Sequence, residues 1–161
     1  MPAGADPDRP RPLGRGPAIR VLPKLDDANR FFWTSGRHGV LEFLRCGACR
    51  RYVHPPVPRC PYCGGDELAP EAVSGRGTLH SFTVNYQPWV PDDGPYVVGL
   101  VAMEEQDDVR LTTNVVDCPE GDLEVGMAVE VTFEQHDDVW LPLFRPARAP
   151  SSLSSPPSAG G

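Results

Sequence analysis

Apolar and polar positions change rhythm along this chain, and each rhythm predicts an element. Residues 26–38 set Phe31, Phe32 and Trp33 in an otherwise polar run, with Asp26 ahead and Gly36 and Gly39 behind. That predicts a short helix: Asp26 can cap it, Asp27 lies near the positive end of its dipole, and either glycine can end it. Neighbouring helical positions point about 100° apart, so one face cannot bury three adjacent aromatics. Phe31, Phe32 and Trp33 are therefore expected to contribute to an interface with a partner protein. Next, 40–45 reads as a strand. Residues 52–58 read as an extended edge or loop segment, because Pro55, Pro56 and Pro58 cannot donate to a ladder.

After Gly75-Arg76-Gly77 the rhythm shortens to two, with Phe82, Val84 and Tyr86 on alternate positions. Five β-like stretches follow, at 78–86, 96–103, 109–116, 128–134 and 139–144. The second is a continuous apolar run, expected to be covered on both faces. A loop at 87–95 carries Trp89 and three prolines, and 117–126 links the third stretch to the fourth. Five short antiparallel strands with one long connection suit a Greek-key barrel of the oligonucleotide/oligosaccharide-binding (OB) type. The pattern fades at both ends. Residues 1–24 are rich in Pro, Gly and Arg, and 147–161 in Pro, Ser, Ala and Gly, so both tails are expected to be disordered.

Four cysteines add chemistry to the segment before the barrel. Cys46-Gly47-Ala48-Cys49 and Cys60-Pro61-Tyr62-Cys63 are two C-x-x-C knuckles separated by ten residues. Gly47, Pro61 and Gly64 suit tight turns, and two facing knuckles make a tetrahedral site of four sulfurs at Cys46, Cys49, Cys60 and Cys63. Zinc there would be a structural clip, and iron an electron carrier. The long folded remainder favours zinc. The organisation expected is a leader (1–24), a helix plus zinc ribbon (25–73), a barrel (74–146) and a tail (147–161). The fold class is mainly β.

Charge sharpens the picture. The net charge of −7 conceals an asymmetry, with five Arg and one Glu in 37–63 but three Arg against seventeen Asp and Glu in 64–146. An acidic barrel opposes general nucleic-acid binding, although Phe82, Tyr86, Trp89 and Tyr96 could stack bases. A basic knob at the knuckles suits a local anionic ligand, with Arg50, Arg51, Arg59 and His54 as its contacts. No apolar run is long enough to cross a membrane and no signal peptide is recognisable, so the chain is expected in the cytoplasm, where thiols stay free for metal. No nucleophile elbow, phosphate loop or convergent acid/base set appears. The acidic run 104–108 reads as a solvated turn, and Cys118 as a small half-buried residue.

The ordered set of motifs resembles a known family, the zinc-ribbon plus OB-fold proteins called DUF35. The stretches that carry the likeness are Phe31-Phe32-Trp33, Arg45-Cys46-Gly47-Ala48-Cys49, His54-Pro55-Pro56, Cys60-Pro61-Tyr62-Cys63-Gly64, Ser74-Gly75-Arg76-Gly77-Thr78 and Gly126-Met127. The resemblance implies a non-catalytic companion subunit in a hetero-oligomer with a thiolase-fold acyl-CoA enzyme, such as a retro-aldolase or thiolase of steroid or lipid side-chain metabolism. It implies as an alternative a partner among hot-dog-fold enoyl-CoA hydratases. The implied roles are assembly and shared binding of the acyl-CoA, with zinc as a structural metal. A single-stranded nucleic-acid module is the remaining alternative.

Overall fold

A computed structural model describes residues 13–17, 19–87 and 94–148. The expected disorder of 1–12 and 149–161, and the loop position of Trp89, lie outside the described residues.

The first helix is shorter than the run that predicts it. Asp26 Oδ1 accepts N–H bonds from Ala28 and Asn29, both at 2.9 Å, and this fixes a turn before the helix. Helix α1 then covers Arg30–Thr34, and a 3-10 turn continues over Ser35–His38. Gly39, at φ 70°, ends it in the left-handed region that favours glycine. Gly36 has a different role. It is buried, and a Cβ there would lie 2.4 Å from Phe133 Cδ1 and 2.5 Å from Trp140 Cβ.

Three strands form the ribbon sheet, in the order β2-β1-β3. They are β1 Leu41–Cys46, β2 Tyr52–Val53 and β3 Leu68–Val73. β2 is much shorter than the 52–58 segment expected, because the prolines that follow have no N–H to pair. β3 is absent from the sequence reading. Its Ala69-Pro70-Glu71-Ala72 centre has weak strand propensity, and it is held by six residue pairings with β1. It lies at the edge of the sheet, where a proline is tolerated.

Five strands close the barrel in the order β4-β5-β6-β8-β7. They are β4 Arg76–Asn85, β5 Tyr96–Met103, β6 Gln106–Val115, β7 Ala128–His136 and β8 Val139–Pro146. All five were expected, but not all are antiparallel. β6 pairs β8 in parallel at Val115 and Phe144, and the Val116 N–H donates to the Phe144 carbonyl at 2.8 Å. The long 116–127 connection carries the chain to the far side before β7 starts, so β8 returns in the same direction as β6. This closure removes the free edges of the sheet.

The ribbon and barrel share one core. Phe32, Leu41 and Phe43 cluster with Leu79, Val101 and Phe144, while a second cluster around Leu44, Val53, Cys46 and Cys60 backs the knuckles. Helix α1 lies between the two bodies, which answers the question of its three aromatics. Phe32 is only 3% exposed and packs against Phe43, with ring centroids 6.1 Å apart. Trp33 meets the Phe32 ring edge-on at 4.7 Å, and Phe31 packs against both clusters. Phe32 thus has no surface for a partner, while Phe31 and Trp33 keep some.

The leader also departs from expectation. Over the part that is described, it lies on the barrel. The Gly14 N–H donates to the Pro95 carbonyl at 2.7 Å, and Arg20 reaches Asn114 Oδ1 at 2.7 Å and Glu134 at 3.2 Å. Arg15 pairs with Asp117 and Glu134. The basic side chains that gave 1–24 a disordered composition are therefore, at Arg15 and Arg20, clamps onto the acidic barrel.

Candidate functional site

The two knuckles repeat one backbone pattern. The Arg50 N–H donates to the Cys46 carbonyl and the Gly64 N–H to the Cys60 carbonyl, each at 2.9 Å. The Cys46 N–H donates to Arg51 and the Cys60 N–H to Gly65, at 3.0 and 2.8 Å. Both turns need a left-handed residue at the same place, which is Arg50 at φ 63° in the first and Gly64 at φ 77° in the second. The repetition points four thiols at one another.

All four sulfurs lie within 4.8 Å of one another, with Cys46–Cys63 and Cys49–Cys60 at 3.6 Å. A tetrahedron with Zn–S bonds of about 2.3 Å has S···S edges of about 3.8 Å, so the donor set fits zinc. All four are free thiols rather than disulfides. Backbone N–H groups aimed at the sulfurs favour the thiolate form. Those of Cys49 and Ala48 lower the Cys46 pKa. At Cys60 burial opposes ionisation, but the N–H groups of Cys63 and Tyr62 and the Cys49 thiol bring it down to about 7. At Cys63 the Gly65 N–H also favours the thiolate, but the neighbouring Cys46 and Cys49 sulfurs push the pKa up to about 11, and a shared cation would relieve that crowding of charge. Zinc bound there supplies a structural cross-link and no redox chemistry.

The proposed anion contacts are directed to different partners. Arg51 Nη2 pairs with Asp108 of β6 at 2.5 Å, and its guanidinium lies 3.9 Å over the Tyr62 ring. Arg51 is therefore committed to joining the ribbon to the barrel. Arg50 and Arg59 approach Glu71 and Asp66 only at 3.8 Å and are largely exposed, so both remain open to an anion. His54 packs between Phe32 and Phe43, with ring centroids at 4.8 and 4.7 Å, and burial pushes its pKa down to about 4.

The acidic run after β5 is an exposed turn, as the sequence suggests, and most of its side chains have partners. Glu104 and Glu105 bind the linker at Ser74, Glu104 also pairs with Arg76 at 2.8 Å, and Asp108 holds Arg51 and Tyr62. Gln106 pairs with both backbone polar groups of Tyr52, accepting from the N–H at 2.9 Å and donating to the carbonyl at 3.2 Å. Sequence reasoning missed this seam. Its one signal was the position of the run beside the Ser74-Gly75-Arg76 linker in space, which no linear pattern shows.

Of the four aromatics weighed for base stacking, Tyr96 is buried and Phe82 packs on the core. Tyr86 is exposed but bonds Glu120, and Trp89 lies outside the described residues. No helix among the described residues is long and apolar enough to cross a membrane.

Comparison with known proteins matches residues 33–69 to the family model described as "ChsH2, rubredoxin-like zinc ribbon domain". Residues 70–134 match the model described as "ChsH2, C-terminal OB-fold domain". A solved structure titled "Ltp2-ChsH2(DUF35) aldolase" is similar with a TM-score of 0.69 and 34% identity, covering 78% of this chain and 98% of that one. The "Probable enoyl-CoA hydratase alpha subunit" of Thermomonospora curvata is 36% identical over 132 residues, which are 81% of this chain. The chain spans only 41% of that relative's length. The "Benzoylsuccinyl-CoA thiolase subunit BbsA" of Thauera aromatica is 29% identical over 66% of this chain and 74% of its own.

Proposed function

The chain belongs to the ChsH2 family of zinc-ribbon and OB-fold proteins, also called DUF35, and from that membership we propose that it is a non-catalytic companion subunit of an acyl-CoA enzyme. The first choice of partner is a thiolase-fold retro-aldolase or thiolase, and the second an enoyl-CoA hydratase. The observation that carries this reading is the extent of the match. This chain spans nearly all of the DUF35 chain in the aldolase structure but less than half of the hydratase alpha subunit. It therefore corresponds to the ribbon-and-barrel part of such proteins, the part that accompanies an enzyme.

Cys46, Cys49, Cys60 and Cys63 hold one structural zinc in this reading, and the reducing cytoplasm keeps them reduced. Phe31 and Trp33 contribute the exposed aromatic surface of the partner interface, while Phe32 supports them from within. Arg50 and Arg59 face the phosphates of a shared acyl-CoA. A nucleic-acid module is disfavoured because the barrel is acidic and, among the described residues, Tyr96 and Phe82 are packed on the core and Tyr86 is bound to Glu120.

The test is co-expression with the acyl-CoA enzymes encoded beside it, followed by size exclusion. Co-elution with one of them is expected, and no turnover of acyl-CoA by the isolated chain. Elution as a monomer beside every such enzyme would overturn the reading, as would acyl-CoA turnover by the chain alone that a point substitution in it abolishes.

A further inference from the structure

Two arginines of the leader share one carboxylate of the barrel. Arg20 Nε donates to Glu134 Oε1 at 3.2 Å, and Arg15 Nε donates to Glu134 Oε2 at 3.3 Å. Each arginine has a second anchor on the barrel side. Arg20 Nη1 donates to Asn114 Oδ1 at 2.7 Å, and Arg15 Nη1 to Asp117 Oδ1 at 3.1 Å. Arg20 Nη2 also closes back onto the Arg15 carbonyl at 2.9 Å. Gly16 makes room for that closure, since a Cβ there would lie 2.4 Å from Arg20 Nη1.

These contacts make the leader one wall of a cavity of about 350 Å³. Pro17 and Arg20 line it together with Trp33, Val98, Leu111 and Leu143. Trp33 is one of the two aromatics given above to the partner interface, so leader and partner meet at the same residue. The wall is held mainly by charge. Leu13 packs on the core, but Ile19 and Val21 are 63% and 94% exposed, so this stretch buries little apolar surface. Arg15 and Asp117 are themselves about half exposed. Ion pairs of that kind are weak and are screened by salt. A segment held in this way can open while the rest of the chain stays folded.

We propose that residues 13–17, with Ile19 and Arg20, form an autoinhibitory latch. Closed by Arg15 and Arg20 on Glu134, the latch covers the cavity side of Trp33 and must open before a partner enzyme docks there. The inference rests on the companion-subunit reading and adds to it a competition between the leader and the partner. Apparent affinity is reduced to the fraction of chains that are open, so releasing the latch raises it. With ion pairs this exposed, the closed form is favoured by a modest factor, about three- to tenfold.

Two full-length variants release the latch by different routes. Glu134→Gln removes the shared charge, and Gly16→Ala displaces the Arg20 guanidinium without touching any charge. In the isolated chain the measurement is tryptic cleavage after Arg20, read by mass spectrometry and scaled to a free peptide substrate. An arginine bonded to Glu134 and Asn114 cannot enter the protease, so cleavage reports opening. Faster cleavage is expected in both variants, and in wild type on raising salt from about 0.05 to 0.5 M. Against the co-eluting enzyme partner, both variants are expected to bind about three- to tenfold more tightly than wild type at low salt. Cleavage that neither variant nor salt changes would overturn the latch, whether or not a partner is found. Faster cleavage with partner affinity unchanged would overturn the inhibitory role and leave the companion reading standing. Faster cleavage with weakened affinity would overturn it too, making the leader part of the interface. If neither wild type nor variants co-elute with any neighbouring enzyme, the companion reading fails and the inhibitory role fails with it.

Discussion

Two residues show how local conformation sets the behaviour of the ribbon. Gly64 sits at φ 77° with open space where a Cβ would go, so Gly64→Ala meets no clash and reports the backbone cost alone. A loss of about 1–2 kcal/mol is expected in a denaturant titration, with zinc still bound. Arg50 holds the equivalent place in the first knuckle at φ 63°, so Arg50→Gly should shift stability the opposite way or leave it unchanged. His54 gives a pH signature. Its pKa falls from 6.5 to about 4 on folding because burial disfavours the charged ring. Between those values the unfolded chain binds a proton that the folded chain does not, so stability drops as pH falls through that window. The full effect is roughly 3 kcal/mol. Acid loss of zinc acts in the same direction, so the measurement is a comparison of melting midpoints for wild type and His54→Gln from pH 7 to pH 4. The variant should show the shallower slope.

At the scale of elements, the packing of helix on barrel and of ribbon on barrel decides the arrangement. Gly36 is the contact between the 3-10 turn and strands β7 and β8, where a methyl group would overlap Phe133 and Trp140. Gly36→Ala is expected to cost about 1–3 kcal/mol by overpacking and to lower the melting temperature without changing zinc content. Gln106 acts as a surrogate strand neighbour for β2, bonding both backbone groups of Tyr52. Gln106→Ala should leave the Tyr52 amide exchanging faster and cost about 1–3 kcal/mol, since a part-buried donor loses its partner. The same logic explains β3. Its own residues have little strand preference, and β1 supplies the ladder that makes it a strand.

Across the whole molecule, the ribbon and barrel are distinct in sheet topology but joined in their core. Leu41, Phe43 and Tyr52 of the ribbon pack in the same cluster as the barrel interior. Removing zinc is therefore expected to lower stability throughout the chain rather than to melt a separate ribbon. A chelated sample should unfold in one transition at reduced temperature, with coincident curves by Trp fluorescence and far-UV circular dichroism. Two well-separated transitions would show that the shared core does not couple the modules. Cys46→Ser is expected to mimic chelation, because it removes a buried ligand from the cage.

The sequence by itself determined the elements whose residues carry their own signal. The knuckles were legible because metal ligation needs thiols at a fixed spacing, and β4 to β8 because one face of each strand must be apolar. The leading helix was legible from Gly39, which ends it, while Asp26 fixes the turn ahead of the helix instead of capping it, the N-cap being Asn29 without a side-chain bond. Tertiary structure decided what depends on neighbours distant in sequence. It made Leu68–Val73 a strand, set β6 parallel to β8, and turned Arg51 from a ligand contact into a bond with Asp108. It gave the acidic run 104–108 its partners, and laid Arg15 and Arg20 on Glu134. Hydrogen bonds and ion pairs go to whichever group the fold brings within about 3 Å, and linear spacing does not encode that proximity.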